Sequence, residues 1–492
     1  MVGTPAGALF GIRGGVHPED RKALAATAAI TDLPLPPLLH IPLQQHIGAP
    51  AQPLVQRGEV VSKGQLLARS QGLISAAVHA PTSGRIIGIG GYPAHHPSGL
   101  LVRSITLQPD GSDCWGELPA PLVGDPVTLS PEEIAARVAA AGIVGMGGAT
   151  FPSVVKLNLR QRYALHTLVI NGAECEPYLT CDDRLMQERP VDLLDGVRLM
   201  ARALEVGQVI IAIENNKPAA QAALRNVAAG DPWITVVGLP ASYPMGSEKH
   251  LVQTLCGRET PARGLTADLG YVVHNVATAL AVHEAIRYGW PLISRIVTVS
   301  GAAISRPQNL RVLIGTPLTH LVDACGGFSQ SPELLISGGP MMGQPLPSLR
   351  VPLVKGSNGL LALSRDEMNA TEAMPCIRCA RCVEVCPCGL LPLQMAATIR
   401  VGHPDAAVGL GLLDCIACGA CAYICPARIP LTRYFNFAKG ELTARQRDKH
   451  KQQETKRLAL AHQQRIEALQ KAKREALAKR KREMAAAAEA VV

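Results

Sequence analysis

The chain has 492 residues, 47% apolar and 18% charged, with aromatics at 3%, too long for one domain of roughly 100–200 residues and apolar enough for several cores. Most of the net charge of +9 sits in residues 441–492, which carry 14 Lys and Arg against 7 Asp and Glu, so the body is near neutral and no nucleic-acid partner is expected. No charge-free apolar run has the length of a membrane span, and the N-terminal residues do not read as a signal peptide, so the fourteen cysteines read as metal ligands of a cytoplasmic protein rather than as disulfides.

Residues 1–120 are an N-terminal region in which 40–110 read as short strands. In "LVQRGEVVSKGQLLARS" the apolar alternation breaks at Arg57-Gly58 and Lys63-Gly64, and "AAVHAPTSGRIIGI" turns at Pro81-Thr82-Ser83-Gly84, as in a small β-sandwich or barrel. The run resembles the lipoyl- or biotinyl-type barrel-sandwich fold. Carriers of that type present a lysine at a hairpin tip. The matching turn, residues 70–75, has none, so a structural module is expected.

Residues 125–295 alternate helix and strand. Ser130 as cap, Pro131 at the first helical position, two acids behind it and Gly142 as a stop predict a helix. "LHTLVINGAE", "QVIIAIENN" and "WITVVGLP" read as strands separated by helices, a βαβ series with a mainly parallel sheet. "ENNK", residues 214–217, stands at a strand end, where it is either a ligand site or a helix cap. Residues 296–350 return to strands, with a Gly-Thr-Pro turn and short helix in "LRVLIGTPLTHLVDACGG". Residues 360–440 hold two cysteine runs. Residues 441–492, rich in Ala, Lys, Arg, Glu and Gln, read as a solvated helix or a partly disordered tail.

The cysteine runs have one spacing: Cys376, Cys379, Cys382, Cys386-Pro387 and Cys415, Cys418, Cys421, Cys425-Pro426. Zinc ribbons pair C-x2-C and rarely add a third cysteine at that step, whereas C-x2-C-x2-C-x3-C-P matches the bacterial [4Fe–4S] pattern. Three cysteines wrap three corners of an iron cube, and the fourth reaches the other cube, as in two-cluster ferredoxins. One cluster is therefore assigned to Cys376, Cys379, Cys382 and Cys425, the other to Cys415, Cys418, Cys421 and Cys386. Cys388 is left spare. Cys114, Cys175, Cys181, Cys256 and Cys325 read as small core residues.

The site that serves two one-electron carriers is sought in "GIVGMGGATFPSVVKLN" and "VINGAECEPYLTCDDRLM". Taken alone, the glycine loop is as much a turn as a nucleotide loop, since it follows a helix rather than a strand. Its glycines still let backbone amides approach an anion, with Lys156 behind them.

"GMGGATFPSVVK" is similar to the Gly-Arg-Gly-Gly-Ala-Gly-Phe loop of the flavin subunit of respiratory NADH dehydrogenase, and "NGAECEP" resembles its Asn-Ala-Asp-Glu-x-Glu-Pro. The resemblance implies non-covalent FMN lined by Gly145, Gly147, Gly148, Ala149, Phe151 and Lys156. Asn171, Glu174 and Glu176 would contact flavin and NAD(H). Met146, Thr150 and Ala173 depart from that pattern. "IGTPLTHLVDACGG" is similar to the β-grasp (SLBB) segment. With the opening "GIRGGVHP", the order of modules resembles that of the RnfC family, the C component of the Rnf (Rsx) complexes.

The fold expected is thus multidomain α/β and α+β: barrel-sandwich module, α/β FMN/NADH domain, β-grasp segment, two-cluster ferredoxin-like domain and basic tail. The resemblance implies a peripheral protein on the cytoplasmic face of a bacterial inner membrane. It would exchange electrons between NAD(H), through FMN, and two [4Fe–4S] clusters. Its partners would be membrane-embedded and other subunits that reach ferredoxin or flavodoxin and move Na⁺ or H⁺. The alternatives are a cluster-bearing adaptor without an active flavin, or part of a reducing system for a redox sensor.

Overall fold

The computed structural model describes residues 9–119, 121, 128–368 and 372–489, with side chains of the last helix described to Met484. The chain divides into two compact units, residues 1–392 with 414–430 and residues 393–413 with 431–492.

In the first unit the N-terminal module is two antiparallel sheets. One runs in the order Leu39–Pro42, Leu101–Pro109, Gly84–Pro93, Val60–Val61, and the other Gln52–Pro53, Leu66–Arg69, Val78–His79. Leu39, Ile41, Leu67, Ile86, Ile105 and Leu107 close completely between them, because alternate strand residues point to one face. The hairpin at 70–75 carries Leu73 at its tip, 92% exposed.

The next layer is a four-stranded, wholly parallel sheet in the order Ile234–Leu239, Gln208–Glu214, Thr167–Gly172, Tyr271–Asn275. Leu168 and Ile170 bury into one core and Val169 into another, so both faces are covered, as parallel sheets require. The helix Pro131–Ala140 starts where Ser130 and Glu133 cap each other reciprocally, and Gly142 follows at φ +65°.

The β-grasp segment is a six-stranded mixed sheet. Its order is Thr31–Asp32, Gln308–Leu313, Ser294–Ser300, Gly359–Leu363, Leu334–Ser337, Gln344–Pro345, with the helix Leu318–Ala324 beside it. It draws in two strands from outside residues 296–350: Thr31–Asp32 pairs with Gln308–Leu313, and Gly359–Leu363 with the central strand Ser294–Ser300. Val297, Val299 and Leu310 belong to the core that also holds Leu168 and Ile170.

The second unit contains the helices Pro404–Gly409 and Leu431–Glu489. Arg445 bonds Asp405 at 3.0 Å and also pairs with Glu441. From Thr443 to Met484 every side chain is exposed. Among the described residues no helix is long and apolar enough to cross a membrane.

Candidate FMN and iron–sulfur site

In the parallel sheet the strand order reverses between Thr167–Gly172 and Tyr271–Asn275. Ligands of open α/β sheets bind in the crevice at such a reversal, beyond the carboxyl ends of the strands. Asn171 and Asn275 stand there as register partners. Asn171 Nδ2 donates to the Gly246 carbonyl at 2.9 Å, and Asn275 Nδ2 to Asp182 Oδ2 at 2.6 Å. Asn275 Oδ1 also accepts the Ala277 amide and caps the helix Val276–Arg287.

The glycine loop reaches the same place as a hairpin. Gly145 N–H donates to the Phe151 carbonyl at 2.8 Å, and Met146 N–H to Thr278 Oγ1 at 3.0 Å. A Cβ on Gly147 would lie 3.3 Å from Asn275 Cβ, so the loop packs closely on that strand end. Gly148 sits at φ +107° with open space beside it, and Gly147, Gly148 and Ala149 are exposed. Among the described residues no acceptor meets the amides of Gly147, Gly148 and Ala149. A row of free backbone N–H groups over an open cleft fits the phosphate and ring edges of a flavin nucleotide. Thr150 holds φ +49°, a conformation that favours the glycine of the related loop. Its methyl fills the space that Gly356, lacking a side chain, leaves.

Lys156 is not free behind the loop. Its ammonium donates to Glu248 at 2.7 Å and to the Val273 carbonyl at 2.9 Å. The Glu174 carboxylate takes the amides of Asp182 and Asp183 at the start of the helix Cys181–Glu188, at 2.7 and 3.3 Å. Burial, then Glu174 beside it, pushes the Asp182 carboxyl up. Glu176 turns elsewhere: it accepts the amides of Met341 and Met342 at 3.0 and 2.8 Å, and burial pushes it up to about 6. The structure therefore gathers Gly147, Asn171, Glu174 and Lys156 around the strand reversal and sends Glu176 to the β-grasp loop. The half-buried Phe151 closes the hairpin through its carbonyl.

Two buried lysines hold this arrangement. Lys22 Nζ donates to the carbonyls of Glu174, Glu176 and Leu179 at 2.9, 2.9 and 2.5 Å, fixing a turn in which Glu174 and Tyr178 have positive φ. Lys217 Nζ donates to the Ala173 carbonyl at 2.7 Å and pairs with Glu214 at 3.1 Å, so "ENNK" is a clamp at the strand end. Sequence reasoning missed Lys22, Asp182, Gly246, Glu248 and Asn275. Asn275 alone carried a signal, a cap residue before the apolar run "VATALAV".

The two cysteine runs repeat one backbone path. Arg378 and Ala417 stand two residues after the first cysteine of each run at φ +56° and +54°, and Ala380 and Gly419 two further on at +60° and +84°. The one-turn helices Arg381–Glu384 and Ala420–Tyr423 follow. Backbone amides point at sulfur: Arg378 N–H to Cys376, Ala417 N–H to Cys415 and Leu390 N–H to Cys386, at 3.3–3.4 Å. Burial pushes the Cys418 thiol up to about 12, with Cys415 and Cys386 adding to it, and Cys421 rises for the same reasons. Cys382 and Cys386 of the first run both act on Cys421, so thiols of the two runs stand near one another. Cys388 lies there too, raised to about 11 by burial and then by Cys386. Among the described residues no three sulfurs lie within 4.8 Å of one another. Around a single zinc they would be about 3.8 Å apart, so no three of these described thiols stand at zinc-site spacing. Of the five scattered cysteines, Cys181 and Cys325 are buried, Cys175 and Cys256 half-buried and Cys114 exposed, which corrects the expectation of core packing for Cys114: its loop lies outside the strands of the sandwich.

The second run packs against the cleft. Tyr243 Oη donates to the Cys418 carbonyl at 2.6 Å, and three residues on Gly246 N–H donates to Cys175 Sγ at 3.3 Å. The N-terminal arm lies alongside, with Gly15 N–H on the Val385 carbonyl at 3.0 Å and Val16 exchanging backbone bonds with Tyr243.

Four family models match this chain in order. They are the RnfC barrel sandwich hybrid domain at 10–112, the Nuo51 FMN-binding domain at 138–284, the SLBB domain at 296–345 and the 4Fe-4S dicluster domain at 375–429. The chain is 59% identical over 444 residues to the C component of an ion-translocating oxidoreductase complex from Rhodobacter capsulatus, covering 90% of this chain and 85% of that one. It belongs to the RnfC family of ion-translocating oxidoreductase complexes. Another family member, the C component of a proton-translocating ferredoxin:NAD(+) oxidoreductase complex from Clostridium ljungdahlii, is 44% identical over 434 residues, 88% of this chain and 94% of that one. A solved NAD+-reducing [NiFe]-hydrogenase aligns with TM-score 0.43 and 21% identity, over 57% of this chain and 55% of that chain. As a member of the RnfC family, the chain carries an FMN-binding domain and a domain for two [4Fe–4S] clusters.

Proposed function

We propose that this chain is the peripheral subunit through which NAD(H) and the iron–sulfur relay of a membrane-bound ion-translocating complex exchange electrons. One observation carries the reading. The loop from Tyr243 to Gly246 touches the cleft through Asn171 and the second cysteine run through Cys418, so the two redox sites share a wall.

FMN, when bound, supplies the conversion between a hydride from NADH and single electrons. The chain's own residues bind and orient it. Gly147, Gly148 and Ala149 offer their amides, Gly145 and Phe151 close the hairpin that presents them, and Asn171, Glu174, Asn275 and Lys156 with Glu248 shape the walls. Glu176 holds the β-grasp loop at Met341 against the site. Cys376, Cys379, Cys382 and Cys425 would ligate one cluster and Cys415, Cys418, Cys421 and Cys386 the other. The burial that raises Cys418 and Cys421 makes their thiolates dependent on the charge of the iron they hold. Partner subunits connect the relay to ferredoxin or flavodoxin and move Na⁺ or H⁺, and the chain works on the cytoplasmic face.

The test is the full chain purified anaerobically, assayed for flavin, iron and NADH-dependent dye reduction. The expected result is one FMN and about eight irons per chain, with dye reduction. About eight irons without flavin would overturn the reading and leave a cluster-bearing adaptor.

A further inference from the structure

The helix Leu431–Glu489 is long, and beyond its pairing of Arg445 with Asp405 every described side chain from Thr443 to Met484 is exposed. Residues 456–484 hold ten Lys and Arg and three Glu. At 100° per residue, Leu458, Ile466, Leu469, Leu477 and Met484 fall within an arc of about 100°, and they are between 42% and 67% exposed. Lys456, Arg474 and Lys481 border the arc on one side, and Arg465 and Lys479 on the other. Lys473 and Arg480 lie inside it, with stems long enough to lift their charges clear. Glu467 and Glu475 lie away from it, and Glu483, at its edge, is 3.9 Å from Lys479.

We propose that this helix docks flat on an anionic lipid bilayer, burying the Leu458–Met484 arc at the headgroup boundary with its basic flanks on the lipid phosphates. An apolar arc, basic borders on both sides and low overall hydrophobicity are the marks of an interfacial helix. The stretch is about 40 Å long. A helical protein partner fits less well. A packed seam wants an apolar residue every three or four positions, and here Leu458 to Ile466 and Leu469 to Leu477 are eight apart. The proposal also gives a chain without a spanning helix among its described residues its own hold on the membrane. It does not depend on the flavin reading.

The experiment is flotation of the full chain with vesicles of phosphatidylcholine alone or with about a third phosphatidylglycerol. Variants compared are a chain lacking residues 441–492, one carrying Lys473→Gln, Arg474→Gln, Arg480→Gln and Lys481→Gln, and one carrying Leu469→Ser and Leu477→Ser. The expected result is binding to the anionic vesicles alone, lowered at least about tenfold by each change and by about 0.5 M salt. Equal binding to neutral vesicles, or binding untouched by the deletion and the point changes, would overturn it. So would a full chain that ignores vesicles while the deletion lowers its retention by the other subunits of the complex. If the truncated chain does not fold, the two full-length variants decide. Dye reduction by the same preparations reports on the flavin site and leaves the lipid result separate.

Discussion

Asn171 and Asn275 face each other across two parallel strands, and each amide reaches a different wall of the cleft, Gly246 for one and Asp182 for the other. Asn275 also caps the helix behind it. Asn275→Ala removes a cap worth about 1 kcal/mol, so the thermal midpoint should fall by about 2–4 °C. It also frees Asp182 and loosens the contact with Gly147, so FMN per chain should fall more than the modest loss of stability explains. Flavin released on acid denaturation measures this. Full occupancy in the variant would show that the asparagine pair does not shape the cleft.

Gly148→Ala tests the glycine loop. The position has φ +107° and no neighbour within 4 Å, so the cost is backbone strain, about 1 kcal/mol or more, without a clash. The loop should shift and FMN should be lost, while the cluster absorbance stays.

Thr150 and Gly356 form a second, compensating pair. A Cβ at Gly356 would collide with the Thr150 methyl. Gly356→Ala should therefore destabilise the chain by about 1–3 kcal/mol, and adding Thr150→Gly should restore most of it. Additive effects in a denaturation series would show that the two do not share that space.

The cysteine assignment makes an asymmetric prediction. Cys386→Ala should remove the cluster of the second run and lower iron from about eight to about four per chain. Cys388→Ala, although its thiol lies in the same neighbourhood, should keep all of it. Iron analysis and electron paramagnetic resonance of the reduced protein distinguish the two. Loss of a cluster in the Cys388 variant alone would reassign the fourth ligand.

Lys355 predicts a pH dependence. It is 1% exposed and donates to the Ala77 and Gly142 carbonyls at 2.6 Å each, and burial lowers it from 10.5 to about 7. Between pH 7 and 10.5 the folded chain has released this proton while the unfolded chain still holds it. Stability should therefore rise with pH through that window, by at most about 1.4 kcal/mol per pH unit from this group. Lys355→Met should lack that slope. Equal slopes in urea titrations from pH 7 to 9.5 would contradict it.

What was legible in the sequence was local. Ser130, Pro131 and Glu133 announced a helix start that the structure realises as a reciprocal cap, and the cysteine spacing foretold a loop that is drawn twice, with positive φ at matching places. What was illegible was distant. Nothing in "PEDRKAL" says that Lys22 will be buried under three carbonyls some 150 residues on, because a lone lysine has no period to betray its burial. Nor could Glu176, in a motif that points to a nucleotide, reveal that it would bind amides of the β-grasp loop. Lys156 read as a counter-charge for a phosphate until the fold supplied Glu248.

The N-terminal arm sets an order of events in synthesis. Gly15 waits for the carbonyl of Val385, and Gly14 lies so close to that segment that a Cβ would stand 2.7 Å from the same oxygen. At roughly 5–20 residues per second, the ribosome needs about 20–75 seconds to deliver the partner of a segment it made first. Until then the backbone of the arm can pair only with Tyr243 and Thr254, and its bond to the segment just before Cys386 is the last of these to form.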